Sequence, residues 1–413
     1  MTKQIIIAVF LLITGVAVAQ EGTTSPYSFY GIGTLKFKGT AENRAMGGIS
    51  VYSDSIHLNI QNPAGVADLR LVNYSLGASH KYTSLSTDTE NRKVSTTSLD
   101  YLAIGIPMGK FGASFGLIPY TSVGYELSST SGATTTTYSG NGGLNKAFFT
   151  LAYKITPEFN IGAEVNYNFG NIENTAFSVQ DSVQYATREF NKSDLLGFSF
   201  NLGASYKTMV TEDLELISFV TYTPETDFTS ENRRAVSTIL VGENGGLVVI
   251  DAEEIDVADT NFTFPSQFTL GAGIGKPKQW FLGLEYTDQK TSNFTNRTFD
   301  IDIVEFNDAA KYRIGGFYVP NYNSLGNYWE RVVYRAGFRF EETGINISGQ
   351  DINEFGISFG VGLPVGRLFS NVNLGFEIGR RGTKDFGLIQ ENFFNTFLSL
   401  SLNDKWFEKR LYD

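Results

Sequence analysis

Five charged residues stand on the polar side of otherwise apolar alternating stretches: Glu164, Glu285, Glu377, Arg335 and Arg339. Arg335 and Arg339 are four apart, and a side-chain period of two puts both on one face of a strand. Two chemistries fit such a set. The guanidinium groups can grip a ligand carboxylate through paired donors, or the five can form an ion-pair network that fixes one buried part of the chain to another, because enclosed charges need partners. The network is the favoured reading. Catalysis finds less support. A hydrolytic nucleophile needs a neighbouring base, and the chain has only two histidines, His57 and His80, the second sharing an apolar face with Tyr74 and Leu76. With no cysteine there are no disulfides or thiolate metal sites. No cluster of metal ligands is evident, so neither an enzyme nor a cofactor or metal is expected.

Two prolines carry structural meaning. In Asn62-Pro63-Ala64-Gly65, the Asn side chain can cap free backbone N–H groups and Pro can occupy the first helical position without losing a bond. Asn62 to Leu69 therefore reads as one short capped turn inside the stretch 41–69, too small to bury itself and in need of an enclosure. Pro119 falls within a strand-like run. A proline there cannot donate to a sheet ladder and requires a bulge or kink, unless the strand has already left the membrane at that height.

The enclosure is legible in period-two alternation. Val372, Leu374, Phe376 and Ile378 oppose Asn371, Asn373, Gly375 and Glu377; similar runs cover 353–363, 194–208 and 160–171. About fourteen strands follow, at 71–82, 94–108, 111–127, 146–155, 160–171, 194–208, 214–227, 265–275, 280–289, 310–319, 331–341, 353–363, 370–381 and 392–402. Leu102-Ala103-Ile104 and Leu216-Ile217 interrupt the pattern. Tight turns alternate with longer polar stretches at 83–93, 128–145, 172–193, 228–264, 290–309, 342–352 and 382–391. That alternation of connections predicts a transmembrane antiparallel β-barrel, all-β, with apolar side chains toward lipid, polar ones toward the lumen and both mature termini in the periplasm. The Ser/Thr/Gly-rich stretch 128–145 reads as a solvated, mobile loop. Within 230–263, the runs Ile239 to Val241 and Leu247 to Ile250 read as a hairpin outside the membrane, turning at Glu243-Asn244-Gly245-Gly246.

Composition agrees. Lys3, the apolar run from Ile5 to Ile13 and Ala17-Val18-Ala19 form a cleavable export signal over 1–19, with the mature chain starting at Gln20. Phe numbers 34, Tyr 21 and Gly 43 in 413 residues, and the net charge of -11 leaves no basic face for nucleic acid. The expected layout is a plug over 20–70, a barrel over 71–402 and a periplasmic tail over 403–413, with Trp406 and Phe407 at the inner interface.

Ala45-Met46-Gly47-Gly48, Val51-Tyr52-Ser53-Asp54 and Asn62-Pro63-Ala64-Gly65 ahead of a fourteen-strand pattern, with Pro119-Tyr120-Thr121-Ser122-Val123-Gly124-Tyr125 in the third strand, resemble FadL-type outer-membrane long-chain fatty-acid transporters, in the style of Bacteroidetes-type members. The resemblance implies an N-terminal hatch bearing the Asn-Pro-Ala motif and a kinked third strand, at Pro119, that opens sideways. It implies passive uptake of hydrophobic, fatty-acid-like small molecules, with outer-membrane lipid and lipopolysaccharide as surroundings. Some barrels of this kind instead resemble non-transporting subunits of secretion or outer-membrane assembly complexes. For that alternative, the 230–263 loop and the tail after 402 are the docking elements.

Overall fold

The computed structural model describes residues 22–242, 246–293, 304–365 and 370–406; the expected export signal, Gln20, residues 243–245 of the expected hairpin turn and most of the expected tail, from Phe407 onward, lie outside these. Fourteen antiparallel wall strands close into a barrel. They are β1 (Val72–Ser86), β2 (Asn91–Met108), β3 in two pieces (Phe111–Pro119 and Thr121–Ser131), β4 (Thr134–Lys154), β5 (Phe159–Gln180), β6 (Tyr185–Met209) and β7 in two pieces (Glu215–Thr223 and Thr226–Val241). The second half comprises β8 (Thr260–Phe264 and Gln267–Lys276), β9 (Trp280–Gln289), β10 (Val304–Phe306 and Ala309–Tyr318), β11 (Val333–Ile347), β12 (Gln350–Val365), β13 (Ser370–Arg381) and β14 (Gln390–Asp404). Sequential neighbours pair, and β14 closes on β1 from Val72↔Asp404 to Ser86↔Gln390.

Alternation produces the two faces. Along β6, Leu196, Phe198, Phe200 and Leu202 are exposed on the outside while Ser199 and Ser205 are buried within. Along β13, Leu374, Phe376 and Ile378 are exposed, and Asn371, Asn373 and Glu377 are buried. An apolar belt of this extent around a closed sheet suits hydrocarbon rather than water. Both interruptions of the pattern have a local cause. In β2, Leu102 and Ile104 hold the outer face while Ala103 turns inward into a buried cluster with Leu58, Ile60 and Leu69 of the N-terminal segment; further up, the register shifts opposite Gly77/Ala78, so that Asp100 is an extra residue and Leu99 also lies outward. In β7, Ile217 and Phe219 face inward because they pack on Met46, Ile49 and Val51 of the N-terminal segment.

Several expected connections are strand. The stretch 128–145 continues β3 and β4 around a turn at Gly132, with Ser131 facing Thr134, instead of forming a solvated loop. Most of 172–193 belongs to β5 and β6, which pair out to Ser178↔Thr187. The stretch 342–352 turns tightly at Ser348-Gly349, both at positive φ. Neighbouring polar strands in water still satisfy each other's backbone groups, so the wall continues beyond the belt. Within 228–264, β7 pairs with a loop strand, Leu247–Ile255, from Val241↔Leu247 to Arg234↔Ile255, which is the hairpin expected there.

Candidate functional site

The N-terminal segment from residue 22 to 71 packs against inward-facing residues of strands on all sides. After a 3₁₀ turn at Pro26–Phe29 and a two-residue strand, α1 (Ala41–Ala45) starts with a capping box in which Thr40 and Asn43 bond each other's backbone N–H. Asn62 caps a short 3₁₀ turn, Pro63–Asp68, its Oδ1 accepting from the Ala64 N–H at 3.1 Å. Pro63 begins that turn, and Ala64, Gly65 and Val66 are buried with it. Between these elements Gly47 and Gly48 take positive φ values of 69° and 86°, where the chain doubles back against the wall. Gly315 and Gly337 make room: a Cβ at Gly315 would sit 2.0 Å from the Met46 carbonyl oxygen, and one at Gly337 would sit 2.1 Å from the Gly47 nitrogen. Small inward residues on the wall therefore mark where the segment's backbone lies.

Four of the five lumen charges are joined in ion pairs. Glu164 is 2% exposed and accepts from Lys146 at 3.2 Å and Thr150 at 3.0 Å. Glu285 binds Arg313 and also accepts from the Ser50 N–H at 2.6 Å and hydroxyl at 2.9 Å, which links wall to N-terminal segment. Arg339 donates to Glu377 at 2.6 Å and pairs with Glu354, which also holds Arg381. Arg44 reaches the same Glu377 at 3.2 Å and Asp100 at 3.5 Å. Arg335 stands apart from Arg339: it donates to Asn373 Oδ1 at 3.0 Å, and Asn373 in turn donates to Glu42 at 2.8 Å. Arg335 makes no salt bridge among the described residues, so the two arginines do not form a common clamp. Arg313, Glu354 and Arg381 occupy inward positions that alternation alone could have flagged. Arg44 and Asp100 could not be found that way, since one lies outside the strands and the other in a bulge.

The segment's other end is fastened by Asp68, which accepts from Lys154 at 2.6 Å, Asn160 at 3.1 Å and Ser53 at 2.8 Å. His57 Nδ1 lies 2.7 Å from Asp54 Oδ2, and its Nε2 lies 3.3 Å from the Asn371 amide. Burial opposes both charged forms, yet mutual attraction and hydrogen bonds hold Asp54 down to about 2 and raise His57 above 6.5. His80 sits on the outer wall against Thr97 at 2.7 Å, remote from His57. Among the described residues no group of acidic and histidine side chains could hold a metal.

Pro119 marks a break in the wall. β3 pairs with β2 only from Met108↔Phe111 to Leu102↔Leu117, whereas its pairing with β4 continues to Pro119↔Asn145 and resumes at Val123↔Gly142. Tyr120 records the kink. Its N–H donates to Leu144 of β4 at 2.7 Å while its carbonyl accepts from Lys36 of the N-terminal segment at 2.9 Å, although both groups of one residue face the same neighbour in a regular antiparallel strand. The upper β2, residues 91–101, has β1 on one side and no strand partner on the other among the described residues. On the β3 side of this seam a two-residue strand, Thr34–Leu35, pairs with Ser122 and Thr121. Lys38 Nζ then donates to the Tyr120 hydroxyl at 2.9 Å and lies 4.4 Å from the ring centre. Burial lowers Lys38 well below the usual range and brings Lys36 to about 8.

An internal cavity of about 270 Å³ borders this seam, lined by Lys36, Lys38, Pro119, Tyr120 and Leu99 among others. Leu99, with Ser79 and Ser98, also borders an apolar concavity on the outer wall. Pro119 is eight residues beyond the turn at Phe111. At ~3.3 Å per residue and a tilt of ~40° that is roughly 20 Å of height, inside an apolar band about 25 Å tall.

Solved structures share the architecture. The toluene transporter TbuX of Ralstonia pickettii superposes with a TM-score of 0.60 at 15% identity, over 89% of this chain and 99% of that one. The Pseudomonas putida toluene transporter TodX gives 0.61 at 17%, over 90% and 99%, and a Pseudomonas aeruginosa FadL homologue gives 0.58 at 13%, over 90% and 98%. At such identities the likeness concerns the fold. A comparison with curated protein sequences finds no match. The family model described as BamG matches residues 1–413, the whole length, and this chain, built on the fourteen-stranded barrel of FadL-type channels, belongs to the BamG family.

Proposed function

We propose that the protein is an outer-membrane barrel that passes hydrophobic, fatty-acid-like small molecules without an energy source, with its N-terminal segment as a plug and the seam at Pro119 as a lateral exit. One observation carries this reading: β3 leaves β2 above Leu117, and Leu99 on the seam borders both the internal cavity and the outer apolar concavity. A molecule passing there would leave the lumen within the apolar belt and avoid the water beyond it. The fold shared with toluene transporters adds support at the level of architecture. Both mature termini then face the periplasm, on the side of the short turns. The test is Pro119→Val. It supplies an N–H and a strand-favouring side chain, so pairing with β2 can extend upward. Uptake of a hydrophobic fluorophore into proteoliposomes should fall severalfold with the barrel intact; unchanged uptake counts against the exit.

A second reading is favoured by the fastening of the plug. Arg44, Ser50 and Asp68 tie it to wall residues Glu377, Glu285 and Lys154, as a sealed barrel serving as a subunit of a larger outer-membrane secretion or assembly complex would require. Purification in mild detergent separates the readings: bound lipid-like ligand supports passage, and a stoichiometric protein complex supports the subunit.

A further inference from the structure

The loop strand Leu247–Ile255 is exposed along its whole length. Leu247, Val248, Val249 and Ile250 are each at least half exposed, on both faces of the strand, and Ile250 is the extra residue of a bulge between Val249 and Asp251. β7 pairs with one edge; the other edge has no strand among the described residues. Its backbone groups on that side are a template for another strand.

Lipid chains do not reach this edge. Thr229 of β7 faces Leu196, at the upper end of the apolar belt, and Ala235 to Val241, which carry the loop strand, lie six to twelve residues further along. At ~3.3 Å per residue and a tilt of ~40°, that is roughly 15–30 Å above the belt. Four clustered apolar residues at that height have no hydrocarbon to meet. Along the loop strand itself the charge has one sign: Asp251, Glu253, Glu254, Asp256 and Asp259 follow with no Lys or Arg in 242–263, and Arg234 on the paired edge is held by Glu189. None of the first four forms a salt bridge among the described residues.

We propose that this edge is a docking site for an extended segment of another cell-surface protein, added as a further strand, apolar where it meets residues 247–250 and basic where it meets residues 251–256. Main-chain hydrogen bonds would supply the attachment and the alternating side chains the selectivity. A second copy of this chain fits poorly. Antiparallel self-pairing about Asp251 sets Val248 opposite Glu254 and Val249 opposite Glu253, and it brings two acidic strands together without a counter-charge. The proposal stands whether or not the lumen conducts.

The test uses the full chain in phospholipid nanodiscs free of lipopolysaccharide, with fluorescent twelve-residue peptides as probes. One peptide alternates Val and Thr at one end and Lys and Thr at the other; a second has Glu for Lys; a third keeps Lys but is N-methylated at alternate backbone nitrogens. The Lys peptide should bind by anisotropy, with both others at least tenfold weaker, and the variant Leu247→Pro with Val249→Pro, which removes N–H groups that face the free edge and not β7, should weaken it by a similar factor while the heat-modifiable barrel band is retained. Equal binding of the N-methylated peptide would mean charge attraction alone and overturns the proposal. So does the absence of binding, or dimerisation of the protein through this strand. Protection of residues 247–250 from hydrogen exchange by added lipopolysaccharide, with none from the Lys peptide, also overturns it.

Discussion

Gly337→Ala tests how the N-terminal segment is held. A Cβ at residue 337 would stand 2.1 Å from the Gly47 nitrogen and 2.2 Å from the Met46 carbonyl carbon, both backbone atoms that cannot rotate away. The segment must retreat by about 1 Å or more, and overpacking of this kind costs about 1–3 kcal/mol. Retreat also breaks the 2.9 Å bond from the Gly47 N–H to Ser358 Oγ, and a buried donor left unpaired adds about 1–3 kcal/mol. Replacing glycine in a strand offsets about 0.5–1 kcal/mol of this by lowering the entropy of the unfolded chain. A net of roughly 1–5 kcal/mol falls on the contact between segment and wall and spares the wall ladder itself. Hydrogen exchange of residues 41–52 should therefore accelerate at least severalfold, and conductance in planar bilayers should rise, while heat-modifiable migration stays the same. Gly326→Ala, where a Cβ meets nothing within 4 Å, is the control. Unchanged exchange at 41–52 in a folded Gly337→Ala barrel would refute the reasoning.

Arg44→Ala leaves Glu377 with Arg339 as its partner, so the loss is partial; about 1–3 kcal/mol of the segment's attachment should go, read as faster exchange around α1. The His57–Asp54 pair makes attachment depend on pH. With His57 raised above 6.5, its contribution is complete below that value and is lost as pH rises through the raised one. With Asp54 depressed to about 2, its contribution is present above 3.8 and is lost as pH falls through about 2. Protection of residues 53–58 should thus be greatest between about pH 4 and 6.5, and His57→Gln should abolish the alkaline decline. Mass spectrometry of the mature protein should find Gln20 at its N-terminus.

The wall was legible because each strand repeats the same instruction: Phe376 and Ile378 on one side, Glu377 on the other, with 370–381 and 280–289 matching the strands residue for residue. Outside the belt the instruction fades. Thr134 to Asn141 and Ile172 to Gln180 pair as strands although they are mostly Ser, Thr, Asn and Gly, with only a few apolar residues such as Tyr138 and Ile172 packed inward, so composition made them look like loops. The capped turn at Asn62 follows from local chemistry and was readable. The bond between Arg44 and Glu377 joins residues 333 positions apart, and nothing local encodes it. Pro119 signalled a break in the ladder, but the side on which β3 loses its partner depends on β2, whose bulge at Asp100 is a matter of register.

Photolabelling tests the lateral exit most directly. A fatty-acid-like probe with a diazirine on its tail, added to the intact barrel in nanodiscs and activated by light, should attach to residues lining the seam. A lateral exit predicts adducts on Leu99, Ile118 and Tyr120, reduced severalfold in Pro119→Val. Adducts confined to outward residues of the belt, such as Phe198 and Phe376, with the buried Ile118 and Tyr120 unlabelled, would contradict it.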